Sequence, residues 1–132
     1  MARDEAVPLT HACAVGPDLL AWLEDAQQWS HATEGAFDPA VGSLVTAWNL
    51  NSPSPSRPEP EQLSKAQQNS GLKWFRWNES AGTVHHLVQE ATLDPGGSGK
   101  GWALDRAGEL LRSHGVTSAL LSFRSTLLAL DP

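Results

Sequence analysis

The sequence predicts an α/β (α+β) fold in which short helices pack on an antiparallel or mixed sheet. Three observations predict it. Apolar residues recur at three- and four-residue spacing in residues 18–29 and again in 102–111, the period of a helix. Short β runs, Leu72 to Trp77 (LKWFRW) and Thr83 to Val88 (TVHHLV), flank a turn segment at 78–82. Between the second run and the second helix lies Asp94-Pro95-Gly96-Gly97-Ser98-Gly99-Lys100-Gly101-Trp102-Ala103-Leu104-Asp105. Glycine lets backbone N–H groups approach an anion, and a helix N-terminus adds partial positive charge.

A length of 132 residues bounds the chain to one domain or a piece of one, and we read residues 1–132 as a single partial domain. The net charge of −6 argues against nucleic acid as a partner, because phosphate backbones need a basic footprint. Cys13 is the only cysteine, which excludes an intramolecular disulfide and a CxxC metal site. No apolar run is long enough to span a membrane, and residues 1–8 (MARDEAVP) lack the apolar core of a signal peptide. A membrane association would need a segment absent from this sequence. Localisation is therefore unreadable here. The β pattern of residues 118–130 stops abruptly at Asp131-Pro132, so the chain is expected to be cut short.

Taken in order, residues 1–17 read as a loop punctuated by Pro8, Gly16 and Pro17, with Cys13 a buried or half-buried side chain. Asp18 is expected to cap a helix whose inner stripe is Leu19, Leu20, Trp22, Leu23, Ala26 and Trp29, ended by Gly35. Asp38-Pro39 then reads as N-cap and first residue of a short helix carrying Val41, Leu44, Val45 and Trp48. Phe37 and Asp38 are read as a core anchor and a cap unless a ligand claims them. Residues 49–60, with four prolines and three serines, form a surface loop. Residues 61–68 read as a helix with Leu63 and Ala66 inward. His85 and His86 are adjacent in a strand and point to opposite faces, so they are not a metal pair. Trp102, Ala103, Ala107, Leu110 and Leu111 give the second long helix its stripe, stopped at Ser113-His114-Gly115. A β run then reaches Phe123, with Leu127 to Leu130 as its partner.

The glycine stretch fails three familiar patterns on named residues. The dinucleotide fingerprint needs glycine where Trp102 stands. The P-loop needs Ser or Thr after Lys100 and glycine at 94, where the chain has Gly101 and Asp94. The nucleophile elbow needs glycine where Lys100 stands, which makes Ser98 a poor nucleophile. What is left is a tight connection into a helix, with Lys100 as a charge beside it and Asp94 unexplained.

Together, two stretches resemble the ApbE family of FAD:protein FMN transferases. Thr33-Glu34-Gly35-Ala36-Phe37-Asp38-Pro39-Ala40-Val41-Gly42-Ser43-Leu44-Val45 with Trp48 is similar to the family's T-x-G-A-F-D-x-T-V-G-x-L-v…W pattern. Leu93 to Asp105 with Arg106-Ala107 is similar to D-x-G-G-x-x-K-G-y-A-x-D-r-a. The resemblance implies a T-fold-like domain that binds FAD as substrate with Mg²⁺. It implies cleavage of the FAD pyrophosphate and transfer of FMN to a Thr or Ser hydroxyl of an acceptor flavoprotein, with release of AMP. It assigns FAD contacts to Ala36, Phe37, Asp38, Asp94 and Lys100, and a backbone-carbonyl magnesium ligand to Gly97. Asp105 is read as structural. It also implies a parent that is often periplasmic or anchored to the inner membrane.

Departures stand beside the match. Ala40 replaces a frequent threonine. Arg124-Ser125-Thr126 stands where the family has a Gly-rich segment. The family's remaining metal ligands, from a downstream Asp/Thr motif, are not in this sequence, so the fragment is expected to lack catalytic competence. The alternative reading is a non-catalytic flavin-binding or structural α/β module.

Overall fold

The computed structural model describes residues 11–131. They form two compact units, one ending at Asp94 and one beginning at Pro95. Residues 1–10 of the expected N-terminal loop lie outside the described residues.

The first unit opens on strand β1 (His11–Ala14), not loop, followed by α1 (Pro17–Ala32). Strands β2 (Phe75–Asn78) and β3 (Thr83–His86) complete an antiparallel sheet in the order β1-β3-β2. β1 forms because its backbone pairs with β3, with Cys13 opposite Val84, and no local propensity in the sequence announces that pairing. Cys13 is exposed on this edge strand, not buried as expected. Register places Phe75, Trp77, Val84 and His86 on one sheet face and Arg76 and His85 on the other. Leu20, Trp22, Leu23 and Ala26 of α1 are buried, as are Phe75 and Val84 of the sheet and Ala40, Ala66, Leu72 and Ala91 elsewhere in the unit. Burying each large side chain contributes about 1.5–3 kcal/mol.

The α1 stripe ends sooner than its periodicity implies. Trp29 is 62% exposed. The last buried residue of the helix is Ala26, one turn short of the expected stripe's end. Its start differs too. Gly16 is the N-cap, Pro17 the first helical residue, and Asp18 lies in the first turn as a favourable charge.

The short helix α2 spans Gly42–Ala47 with Val41 at its N-cap, so Asp38-Pro39 does not start it. The backbone before it is engaged elsewhere. Pro39 O accepts from Asp94 N at 2.7 Å and Ala40 O from Gly71 N at 2.8 Å. α3 (Pro60–Gln68) follows the Pro-rich loop, opened by a capping box between Glu59 and Gln62. Ala66 is buried. Residues Leu72–Trp74 form a 3₁₀ turn where a strand was expected, and only then does β2 begin. The cause is again a distant partner: the Leu72 amide is held by the Asp38 carboxylate.

The second unit begins with a 3₁₀ turn (Pro95–Gly97) and α4 (Gly99–Ser113). β4 (Ala119–Phe123) and β5 (Thr126–Leu130) make an antiparallel hairpin, so the final β run finds its partner in its own neighbour. The buried residues of α4 are Leu104 and Gly108, while Leu110 is 61% exposed. Glycine sets this rotation. A Cβ on Gly108 would stand 2.9 Å from Leu128 Cδ2 and 3.3 Å from Leu130 Cδ2, so the hairpin leucines fill the space a side chain would take. Counting apolar side chains misses such a face, because its central residue has none.

Candidate functional site

In the first unit, the expected site residues sit on a turn that closes α1. Glu34 donates to His31 O at 3.1 Å and Gly35 to Ser30 O at 2.8 Å, the Schellman pattern of a helix end. Two consecutive residues in it have positive φ, Glu34 at 52° and the expected stop Gly35 at 82°. Thr33 completes the turn. Its hydroxyl donates to Trp29 O at 2.8 Å and accepts from Phe37 N at 3.0 Å, so it ties the helix end to the segment that carries Phe37. The sequence marks Thr33 as a residue that closes α1, and the structure adds that its hydroxyl also holds the Phe37 amide.

Ala36 is exposed, whereas Phe37 and Asp38 are half-buried. Asp38 does more than a cap. Oδ1 accepts from Ala40 N at 2.8 Å, and the carboxylate accepts from Leu72 N at 3.0 Å through Oδ2 and 3.2 Å through Oδ1. It therefore joins segments 34 residues apart in sequence. A carboxylate has about four lone-pair sites, so acceptor capacity remains for a ligand hydroxyl or amino group. Asp94 is half-buried, and its amide reaches the carbonyl of Pro39, next to Asp38. The structure thus brings Asp38 and Asp94 onto adjacent chain segments.

A cleft of about 530 Å³ opens beside Asp38. Lys73 and Arg76 give it positive charge, Asp38 a carboxylate and Trp77 an indole wall, with His31 at its edge. Its volume lies within the roughly 300–1,000 Å³ range of small-molecule sites. Arg76 is partly committed, since Nη1 donates to the carbonyls of Lys73 and Phe75. His86 packs against Phe75 with ring centroids 5.2 Å apart, while His85 lies opposite Arg76 on the other face. The two histidines are therefore divided between faces, as their adjacency required.

In the second unit, Gly97 is exposed at the end of the 3₁₀ turn, and Lys100 is half-buried in the first turn of α4. Lys100 Nζ donates to Ser125 Oγ at 3.1 Å. Asp105 is exposed on α4. Among the described residues, no three His, Cys, Asp or Glu side chains cluster to hold a metal ion. One glycine carbonyl does not meet octahedral magnesium's need for several oxygens, so the described residues do not by themselves fit a magnesium centre. No helix among the described residues is long and apolar enough to cross a membrane.

Comparison with known proteins places this geometry. A model of the ApbE family matches residues 3–132. An FAD:protein FMN transferase of Treponema pallidum (strain Nichols) is 32% identical over 121 residues, covering 88% of this chain and 33% of that protein. One from Chlamydia muridarum is 30% identical over 95 residues, covering 72% of this chain and 30% of that protein. Among solved structures, the ApbE protein of Thermotoga maritima superposes with a TM-score of 0.82 at 22% identity, over 100% of this chain and 45% of that one. The flavin transferase ApbE of Vibrio cholerae gives 0.79 at 24% identity, over 91% and 39%. The fold of mixed helices and antiparallel strands is thus the ApbE fold, and the chain spans about a third of the length of these curated relatives. On the match across residues 3–132, the chain belongs to the ApbE family.

Proposed function

We propose that this chain is part of an FAD:protein FMN transferase. In the proposed reaction, a Thr or Ser hydroxyl of an acceptor flavoprotein attacks the FMN phosphorus of FAD. The pyrophosphate P–O bond breaks, AMP leaves, and the hydroxyl proton passes to solvent or to the departing phosphate. The observation that carries the reading is the family match over residues 3–132.

Ala36, Phe37, Asp38 and Asp94 are proposed FAD contacts in the first unit and Lys100 in the second. The two units are read as parts of one ApbE-like domain. Each residue offers matching chemistry. Asp38 and Asp94 can accept hydrogen bonds from flavin or sugar groups, Phe37 offers ring contact, and Lys100 offers charge to a diphosphate oxygen. Mg²⁺ is the proposed cation, with the Gly97 carbonyl as one ligand. Bound there, it would neutralise pyrophosphate charge. The other ligands are not among the described residues, and no step is derived through the metal.

The experiment is incubation of the chain with FAD, Mg²⁺ and an acceptor peptide, read as the mass of an FMN adduct. An adduct supports the full reading. FAD binding without an adduct favours a flavin-binding module, to which the cleft beside Asp38 lends a place. Neither binding nor adduct overturns the flavin reading for this chain.

A further inference from the structure

We propose that Ser125 is a positioning residue, which aims the Lys100 ammonium at an anionic, diphosphate-class ligand. The proposal rests on the assignment of Lys100 to FAD and adds what holds that lysine in place. Lys100 Nζ and Ser125 Oγ are 3.1 Å apart, 25 residues apart in sequence. The lysine stem is flexible and carries about 2 kcal/mol of rotamer entropy, so a free ammonium gives up affinity when it is ordered on a ligand. A hydroxyl partner orders it beforehand. The ammonium has three donors, and Ser125 takes one, leaving two for ligand oxygens. A carboxylate partner would order the lysine as well but would cancel its charge, whereas serine leaves the charge whole.

Ser125 is held where it is by the body of the second unit. The register pairs Phe123 with Thr126, which leaves only Arg124 and Ser125 in the loop. Arg124 has φ 55° and is the only one of the two with positive φ. Leu128 and Leu130 seat the hairpin against Gly108 of α4, the helix whose first turn carries Lys100. A helix start and a hairpin turn are thereby fixed on one lysine. The Arg124-Ser125-Thr126 departure from the Gly-rich family segment thus has a use: a glycine in place of Ser125 would offer the ammonium no hydroxyl.

The test uses the 132-residue chain with Lys100→Ala, Ser125→Ala and Ser125→Thr, titrated with FAD and with riboflavin, which lacks the diphosphate. Loss of one hydrogen bond predicts that Ser125→Ala weakens FAD binding about 2- to 10-fold, leaves riboflavin binding unchanged, and leaves the melting temperature within about 1–2 °C. Ser125→Thr restores FAD affinity. If Lys100→Ala binds FAD like the parent, or the parent binds none, the flavin assignment of Lys100 falls and this proposal with it. If Lys100→Ala weakens FAD binding while Ser125→Ala does not, only the positioning role falls. Equal weakening of FAD and riboflavin overturns it as well, in favour of a structural role. A second readout needs no flavin. Acetylation of Lys100 by acetic anhydride, followed by peptide mass, is expected to quicken in Ser125→Ala and not in Ser125→Thr; an unchanged rate in Ser125→Ala overturns the proposal.

Discussion

Substituting Gly42 by alanine tests how closely the two motif-bearing segments of the first unit approach. Gly42 is buried at the start of α2. An added Cβ would stand 2.8 Å from Thr92 Cβ and 2.9 Å from both Thr92 O and Oγ1. Carbon pairs prefer about 3.5–4.0 Å, so the segments must part by roughly 0.7 Å. Parting them strains the bonds that run between them, Gly42 N to Thr92 O at 3.0 Å and Asp94 N to Pro39 O at 2.7 Å. Overpacking costs about 1–3 kcal/mol, and each weakened bond adds up to about 1 kcal/mol. Alanine's better helix propensity offsets at most about 1 kcal/mol. The net expectation is a loss of about 2–3 kcal/mol, a fall in melting temperature of roughly 6–15 °C. Thermal melts followed by tryptophan fluorescence and circular dichroism measure it. Thr92→Ala leaves the Cβ and carbonyl contacts and is not expected to rescue Gly42→Ala; Thr92→Gly removes Cβ and Oγ1 and is expected to do so in part. A Gly42→Ala chain that melts at or above the parent refutes the reasoning.

Three further outcomes follow from other sites. Glu34→Gly places glycine at the left-handed position of the α1 stop, where φ is 52°, and is expected to stabilise by about 1 kcal/mol in urea titration. Glu24 is raised above its ordinary value by a hydrogen bond with Glu79, then by the Glu79 charge, slight desolvation and Asp25. Its contribution is therefore full at low pH and lost as pH rises through the raised value, so Glu79→Gln is expected to raise the melting temperature at neutral pH. That gain should vanish below about pH 4, where carboxylates protonate, and shrink in high salt, because Glu24 is fully exposed. The outward face of the β4–β5 hairpin carries Leu120 at 72% and Leu127 at 64% exposure, so Leu120→Lys with Leu127→Thr is expected to reduce light scattering on heating without lowering the midpoint.

The helices were legible because their apolar spacing is local. α1, α3 and α4 lie close to where periodicity and caps place them. What the sequence concealed is pairing at a distance. β1 exists through β3, the 3₁₀ turn at Leu72–Trp74 through Asp38, and the late start of α2 through Pro39 and Ala40. None of these partners is near in sequence, and no spacing rule announces them. The extent of α1 burial was hidden for a different reason: periodicity gives the direction of a face but not how far along it the core reaches, which here is Ala26. At the candidate site, motif resemblance marked Asp38, Asp94 and Lys100. The contacts that fix two of them, Leu72 N on Asp38 and Ser125 on Lys100, could be seen only in the fold.

That difference decides how the flavin reading can be tested by mutation. Asp38 is a ligand candidate and also a fastener: its carboxylate accepts from two backbone amides, Ala40 and Leu72. A hydrogen bond to a charged group contributes about 1.5–3 kcal/mol, so Asp38→Ala removes about 3–6 kcal/mol of fastening, a large share of a domain's typical total of about 5–15. Such a chain loses flavin affinity through unfolding whether or not Asp38 touches flavin. Asp38→Asn keeps one carbonyl oxygen to accept from Leu72 or Ala40, and is expected to lose about half as much. Lys100 carries no such burden, because its contact among the described residues is one hydrogen bond to a turn serine. Lys100→Ala is therefore expected to melt within about 2–4 °C of the parent. If Asp38→Ala instead melts like Lys100→Ala, the carboxylate is not the fastener described, and its half-buried place in the turn would have to be explained by the ligand alone.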